Sequence, residues 1–443
     1  MPNNLLSGRD LDSTELRILL HELIGGGQAK LKLPNPNKFY LPEAGPNCRV
    51  VLTLKNKKVI AIEPGQAFDE TQWQTINNEI DKSLLAGPTR IGRDFSFSGY
   101  RVIGSWRGEN SGVQILPSAA NVPSAPVELA DHPFVLEFPF MASTSNSITS
   151  YRRLRKHRDL TLLLNILLIG GVKSMWYRPA SFWAADLDNI DQGSKWVQQS
   201  FFAPLGSCVA DALSSATHPL QELPPHEYEA IRGHDGEGLR VPSNLDQSIR
   251  SYESLSASNR EKFDRAAFWF GIASEMRNVS VSASFAAFAS AIESLTARGK
   301  RHSYKCLVCG RDTDHEFPGP TRLFRNFLDT YASDASLVEE REQINQMYEM
   351  RSAILHGSDV MELDQSIPTM TWSPWGFKEQ ELYNSTWKVT RAALRNWLKS
   401  PPPEGTFLQQ AREVCAYFHW IERGQPLWQA DVDWACAVVE FPR

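Results

Sequence analysis

The sequence has few cysteines, no long apolar run and no excess of basic residues. Six cysteines in 443 residues do not make a disulfide framework, and only Cys306 and Cys309 are closely spaced, so we expect a reducing, cytoplasmic setting. The most apolar stretch, Leu160 to Ile169, is too short to cross a bilayer and contains Asn165, so we expect no membrane partner. The first residues, MPNNLLSGRDLD, lack the basic start and apolar run of a secretory signal. A net charge of -5 argues against non-specific coating of nucleic acid, because such binding needs a basic surface.

The length and the residue patterns predict an α+β protein of several domains. A chain of 443 residues exceeds what one hydrophobic core usually organises. Short strands separated by turn residues dominate the first part of the chain, whereas amphipathic helical spacing dominates from residue 256 onwards. We therefore expect a strand-rich mixed N-terminal domain (1–145), a helical and irregular connecting region (146–255), a mainly α-helical bundle (256–400) and a C-terminal appendage (401–443).

Individual elements can be placed in the N-terminal part. Asp12 is a helix cap, and Glu15 lies where it can reach back to complete a capping box, so a first helix is predicted to begin there. A further helix is predicted over residues 70–85. Strands are predicted at residues 30–33, 38–41, 49–54, 58–62, 95–100 and 134–138.

A basic run, Tyr151 to Arg158, leads into an apolar helix. It contains Arg152 and His157, an arginine and a histidine five positions apart. Such a run can contact a nucleic-acid backbone, but more often it is a solvated face with packed side-chain stems, and we favour that interpretation.

The stretch MYEMRSAILHG has the same spacing in a different setting. Gly357 follows a helix-forming run and is expected to take the left-handed conformation that closes a helix, which places Arg351 and His356 in its last turns. An arginine fork can hold an anion while histidine titrates near neutrality, so the pair suits acid/base chemistry on a phosphate. The same two residues also suit a purely structural role, since cations stabilise helix C-termini.

Four segments in order, SFAAFASAIESL, KCLVCG, GPTRLFRNFLDTY and MYEMRSAILHG, resemble the Apea-like branch of the HEPN superfamily. These proteins are small helical bundles marked by an arginine and a histidine about four to six residues apart. The resemblance extends from about Phe263 to Leu398, and the upstream segment HPFVLEFPF resembles what precedes the bundle in such proteins. It singles out Arg351 and His356, because the other pair lies outside the bundle. Many active members have Asn, Asp or His directly after the arginine, where this chain has Ser352.

The resemblance implies metal-independent cleavage of RNA by a homodimer in which the motif helices face each other. The 2′-hydroxyl of RNA is an internal nucleophile, so the site needs only a base for its proton and a cation for the charge that grows on the phosphorane. His356 is the candidate base or acid, and Arg351 the candidate clamp on the phosphoryl oxygens. Tyr348 lies one turn before the arginine and could orient it or stack on a base. Glu293, at the family's acidic position, is expected to pair with Arg351 and restrain it until RNA displaces it.

The family's usual context is bacterial defence against phage or toxin–antitoxin conflict. In that scheme the N-terminal domain senses a trigger or binds an inhibitor. Two other functions stay open: a non-catalytic module that binds RNA or protein, and a structural dimerisation scaffold.

The spacing of Cys306 and Cys309, in a loop between Lys305 and Gly310, is typical of a zinc knuckle. A structural zinc site needs four ligands, and this pair supplies two. A redox role is less favoured, because the strand-then-helix setting of thioredoxin-like proteins is missing. The nearest completions of a zinc site are His302 and His315, with Asp312 and Asp314 as weaker candidates.

Overall fold

A computed structural model describes the protein over residues 11–24, 37–43, 45–55, 58–85, 87–118, 132–173, 183–185, 196–198, 208–229, 238–277, 279–296, 300–305, 312–317, 320–334, 337–365 and 373–403. Its helices are α1 (Ser13–Ile24), α2 (Glu70–Ile80, continued by a π-helical turn Asp81–Leu85), α3 (Asn146–Leu167), α4 (Pro225–Glu229), α5 (Leu245–Glu253), α6 (Ala257–Met276), α7 (Val281–Leu295), α8 (Pro320–Tyr331), α9 (Val338–Glu342), α10 (Ile344–Leu355), α11 (Glu362–Gln365) and α12 (Pro374–Lys399). Its strands are β1 (Lys38–Leu41), β2 (Val50–Lys55), β3 (Lys58–Pro64), β4 (Thr89–Ser98), β5 (Trp106–Arg107), β6 (Gln114–Pro117), β7 (His132–Met141), β8 (Val172–Lys173), β9 (Trp183–Ala185), β10 (Trp196–Gln198), β11 (Cys208–Ala210), β12 (Glu222–Leu223), β13 (Val241–Pro242), β14 (Lys300–Lys305) and β15 (Asp312–Phe317).

The chain forms two compact units, and each is made of more than one chain segment. The first unit holds residues 1–161, 172–222 and 230–241, and the second holds residues 162–171, 223–229 and 242–443. A strand-rich N-terminal region is followed by a helical C-terminal region, so the predicted α+β class is confirmed. The four domains predicted from the sequence stay predictions, and residues 404–443 of the predicted appendage lie outside the described residues.

In the first unit, α1 and α2 pack with a three-stranded antiparallel sheet of order β1-β2-β3. The core of this layer is aliphatic apart from Trp73. Asp12 caps α1 as predicted, because its Oδ1 accepts from the backbone N–H groups of Thr14 and Glu15 at 2.8 and 3.0 Å. The predicted capping-box bond from Glu15 back to the N-cap residue is wrong. The carboxylate of Glu15 instead pairs with Arg152, at 2.6 Å between Oε2 and Nη2.

The larger sheet of the first unit has six antiparallel strands in the order β11-β4-β7-β6-β5, with β8 also paired to β4. Strands β4 and β7 run side by side over ten residue pairs, from Thr89 opposite Met141 to Ser98 opposite His132. The first part of α3 packs on this sheet, since Arg153 is ion-paired with Asp94 of β4.

The second unit is a helical bundle in which α7 contacts α6, α8, α10, α11 and α12. Its sequence, VSASFAAFASAIESL, is rich in alanine and serine, and these small side chains let neighbouring helices approach closely. Large aromatic side chains fill the spaces between the helices: Phe263 stacks on Trp397 with ring centroids 5.8 Å apart, and Phe270 packs against Phe288 at 5.4 Å.

Two further features of this unit are a contact between α12 and the end of α3 and an insert between α7 and α8. Arg391 of α12 is buried and donates to the carbonyls of Ile166 and Leu167 at 2.8 and 3.0 Å, which satisfies the C-terminal end of α3. The insert between α7 and α8 forms an antiparallel hairpin of β14 and β15, in which His302 lies opposite His315. None of the described helices is long and apolar enough to cross a membrane.

Candidate functional site

The end of α10 is built by its glycine. Gly357 has a φ of +69°, the left-handed conformation predicted for it. Its N–H donates to the carbonyl of Ile354 at 3.1 Å, and the N–H of Ser358 donates to that of Ala353 at 3.0 Å. These two bonds form a Schellman motif with His356 as the C-cap residue. The glycine therefore determines where the helix ends and places His356 at that end.

Arg351 is held by a carboxylate from α7. Its Nη2 lies 2.7 Å from Oε2 of Glu293, to which it donates a hydrogen bond, and 2.6 Å from Oε1. One guanidinium nitrogen thus lies close to both carboxylate oxygens but bonds only Oε2, and Oε1 has no hydrogen-bond partner among the described residues, in contrast to the parallel two-nitrogen pairing that arginine forks allow. The expected contact between Glu293 and Arg351 is therefore present.

The Arg351 guanidinium keeps unused donor capacity. Its Nε is buried and has no hydrogen-bond partner among the described residues. The side chains of Arg351 and Glu293 are 17% and 29% exposed, so solvent and a polymer at the surface can both reach the pair. A phosphate that approached Arg351 would compete with Glu293 for the guanidinium, whereas the buried Nε donor would be reached only if the side chain moved.

Tyr348 lies beside Arg351, one turn earlier in α10. The guanidinium carbon is 5.7 Å from the centroid of the tyrosine ring, within the range of a cation–π contact. The ring packs in turn against Phe324 of α8, with centroids 5.5 Å apart. Tyr348 and Glu293 therefore both contact the arginine and orient it.

His356 is exposed, and no hydrogen bond joins it to Arg351 within the described part of the chain. Residues five apart in a helix project about 140° apart around its axis, so the two side chains of one copy leave α10 in different directions. Ser352 is half-buried, and its carbonyl accepts from the N–H of His356 at 3.0 Å. The structure thus brings together Glu293, Arg351 and Tyr348, with His356 one turn further on and facing solvent.

The second arginine–histidine pair, Arg152 and His157, has a different environment. Arg152 is 9% exposed and His157 1% exposed, so the interpretation of this run as a solvated face is wrong for these two residues. Besides Glu15, Arg152 bonds the carbonyl of Leu84 at 2.7 Å, while Nε2 of His157 lies 2.9 Å from Oγ of Ser96. Both residues are parts of the core of the first unit, and neither is available to a polymeric substrate.

Only part of the predicted zinc site can be placed. The register of the hairpin sets His302 directly opposite His315. Cys306 and Cys309 lie outside the described residues. No group of three or more metal-binding side chains occurs among the residues whose side chains the structure describes.

Sequence reasoning missed Asp364, which anchors the chain just beyond His356. Its carboxylate accepts from the backbone N–H groups of Val281 and Ser282, at 2.6 and 2.8 Å, at the start of α7. An aspartate more than 80 positions from the helix that it caps leaves no local signal, because capping patterns are recognised within a few residues.

No known family matches the chain, and neither a curated protein nor a solved structure matches it.

Proposed function

We propose that the chain is a HEPN-type, metal-independent endoribonuclease that acts as a cytoplasmic homodimer. The observation that carries the proposal is the arrangement at the end of α10, where an arginine oriented by Glu293 and Tyr348 lies one turn before an exposed histidine. The proposal also rests on the resemblance of four segments to the Apea-like branch of the HEPN superfamily. The resemblance further implies a role in bacterial defence or toxin–antitoxin conflict, with the N-terminal domain (1–145) binding a trigger or an inhibitor.

The chemistry needs two copies of the motif. A base takes the proton of the RNA 2′-hydroxyl, the 2′-oxygen attacks phosphorus, and the bond from phosphorus to the 5′-oxygen breaks as an acid protonates the leaving oxygen. A single His356 cannot be base and acid at once, and it projects away from Arg351 of its own copy. Two α10 helices facing each other would supply two imidazoles and two guanidinium groups to one cleft, and the arginines would stabilise the charge on the phosphorane.

The test compares His356→Ala with the wild-type protein on a mixed RNA substrate in the presence of EDTA. We expect wild-type cleavage to yield 2′,3′-cyclic phosphate ends, and the variant to lose at least about 100-fold in rate, since general acid–base catalysis contributes 10²- to 10⁴-fold. His226→Ala is the matched control, because it removes an imidazole that is 81% exposed in α4. Equal cleavage by wild type and His356→Ala, or cleavage of all-deoxy substrate, would contradict the proposal.

A non-catalytic module that binds RNA or protein is the second candidate. It is favoured by the ion pair itself, because Arg351 is already engaged by Glu293. This candidate predicts that the wild-type protein binds RNA without cutting it, and that Arg351→Ala weakens binding while His356→Ala does not.

We further propose that the insert between α7 and α8 holds a structural Zn²⁺ ion through Cys306, Cys309, His302 and His315. The cross-strand placement of the two histidines supports it. Metal analysis of the purified wild-type protein should find about one zinc per chain, and Cys306→Ser should lose it. A wild-type protein that carries no zinc after expression in zinc-supplemented medium would refute this site.

A further inference from the structure

The segment that follows His356 is tied to the first turn of α7. The N–H of Met361 donates to Oγ of Ser282 at 2.9 Å. Asp364, three residues further on, accepts from the N–H groups of Val281 and Ser282 and also from Oγ of Ser280, at 2.9 Å. Its carboxylate therefore satisfies two of the otherwise unpaired donors at a helix N-terminus, where the helix dipole also favours a negative charge.

The short helix α11 is tied to α12 as well. The N–H of Glu362 donates to Oε2 of Glu379 at 2.7 Å, and Oγ of Ser373, the N-cap residue of α12, donates to the Glu362 carboxylate. Since α11 has only four residues, these contacts and those of Asp364 fix its position; its own helical bonds are too few.

Helix α7 thus holds Arg351 directly and anchors the segment that follows His356. Near its C-terminal end Glu293 holds Arg351, and at its N-terminal end Val281 and Ser282 hold Asp364. Glu293 lies twelve positions after Val281, which is about 18 Å along the helix at 1.5 Å per residue. His356 lies in the chain between these two attachments, separated from Met361 by only four residues.

The carboxylate of Asp364 is stabilised in its charged form. Burial alone would raise the pKa of Asp364, but the hydrogen bonds from Ser282, Val281 and Ser280 outweigh burial, and the pKa is lowered. A neutral side chain at position 364 therefore weakens the bonds that the Asp364 carboxylate makes to the start of α7 at neutral pH.

We propose that Asp364 is a positioning residue for His356. It binds the N-terminus of α7 and, together with the bond from the N–H of Met361 to Ser282, fixes the far end of the segment 356–364, whose near end is fixed by Gly357. The imidazole then has one location relative to the arginine that α7 holds at its other end. The catalytic half of this proposal rests on the proposed ribonuclease function; the structural half does not.

The test compares Asp364→Ala with Asp359→Ala. Asp359 is the matched control, because it is an exposed acid of the same segment and, among the residues that the structure describes, its carboxylate accepts only from the N–H of the next residue, Val360. Misplacement of a catalytic group by about 1 Å costs roughly 100-fold, so we expect Asp364→Ala to lower kcat about 10- to 100-fold while KM changes less than about twofold. Asp359→Ala should stay within about twofold of wild type in both constants, and Asp364→Glu, which keeps the carboxylate, should recover part of kcat.

Hydrogen exchange of the peptide 356–361, measured by mass spectrometry, gives a readout that needs no cleavage. Asp359→Ala releases one amide of this peptide, that of Val360, so we expect Asp364→Ala to speed exchange at more amides than that one, with unchanged exchange in residues 285–295 as evidence that α7 remains folded. Should Asp364→Ala fail to fold, Asp364→Asn keeps the shape and one acceptor oxygen and replaces it in both measurements.

The outcomes separate the two proposals. A wild-type protein without RNA cleavage refutes the ribonuclease, and the exchange comparison then decides on the anchoring by itself. A cleaving wild type with an unchanged kcat in Asp364→Ala, or equal exchange in the two variants, refutes the positioning role and leaves the ribonuclease standing.

Discussion

His157 should make the first unit sensitive to mild acid. Its imidazole is 1% exposed, stacks on the ring of Phe138 with centroids 6.1 Å apart, and shares a hydrogen bond with Ser96. Burial, with a smaller contribution from the positive charge of Arg153, lowers the pKa of His157 from 6.5 to about 3. The folded protein therefore keeps this side chain neutral at a pH where the unfolded chain binds a proton.

The direction and size of the effect follow from this pKa difference. Below pH 6.5 the unfolded chain takes up a proton that the folded chain does not, so the free energy of unfolding falls with pH until about pH 3. A difference between 6.5 and about 3 removes about 2 kcal/mol between pH 7 and pH 5. That is a large share of the stability of a typical domain.

The assay is urea unfolding of wild type and His157→Gln at pH 7 and pH 5, with hydrogen exchange assigning the transition to peptides of β4 and α3. Glutamine has amide groups that can still bond Ser96 but does not titrate, so the variant should lose about 2 kcal/mol less than wild type on acidification. Every other titrating group contributes equally to both proteins, so the difference between their losses of unfolding free energy reports His157.

His21→Gln is the matched control, since it removes an exposed imidazole from α1 of the same unit. The reasoning is refuted if wild type and His157→Gln lose the same stability within about 0.5 kcal/mol, because His157 would then be charged, or accessible to protons, in the folded protein.

Two further predictions concern the candidate site. Gly357→Ala should destabilise the second unit by about 1 kcal/mol in urea unfolding. A Cβ there meets no neighbour within 4 Å, but the alanine would have to keep a φ of +69°, which is unfavourable for an L-residue. Gly357→Asn should lose less stability, and equal stability of all three proteins would mean that the helix end does not need a left-handed residue. Glu293→Gln should bind non-cleavable 2′-O-methyl RNA about fivefold more tightly in a fluorescence anisotropy assay, because a partly exposed ion pair of about 1 kcal/mol no longer competes for Arg351. The control is Glu349→Gln, which removes the charge of an exposed acid of α10. Weaker binding by Glu293→Gln would show that Glu293 positions the arginine for RNA and does not restrain it.

Features that depend only on neighbouring residues could be predicted from the sequence. The cap at Asp12 and the left-handed Gly357 were predicted from a few neighbouring positions, because caps and helix ends are interactions of the chain with its own next turn. The strands at 38–41 and 58–62 and the helix beginning at Glu70 followed in the same way from their periodicity.

The sequence-based predictions that were wrong or missing concern residues whose partners lie far away in the chain. Glu15 did not complete its capping box because Arg152, 137 positions away, offers a full positive charge in a buried place. The basic run of α3 was expected to face solvent, but His157 packs against Ser96 and Phe138 of the larger sheet and Arg152 bonds Glu15 and Leu84, and all of these partners are distant in the sequence. The contact of Glu293 with Arg351 was anticipated only through the family resemblance, and Asp364 was not anticipated at all.

The interleaving of the two units along the chain has a consequence for biosynthesis. The end of α3 belongs to the second unit, and its side chains Leu163, Leu164 and Ile166 are fully buried in the finished protein. Arg391, which satisfies the carbonyls of Ile166 and Leu167, is made 224 positions after Leu167. At about 5 to 20 residues per second, the ribosome needs roughly 11 to 45 s to reach it.

During that interval an apolar helix end with unpaired carbonyls is present on the nascent chain, where a chaperone or another nascent chain can bind it. The first unit can close once residue 241 has emerged, but the second cannot close until α12 has been made. No single cut separates the two units, so fragments of this gene that end before α12 should yield an exposed segment 162–171 and an aggregation-prone product.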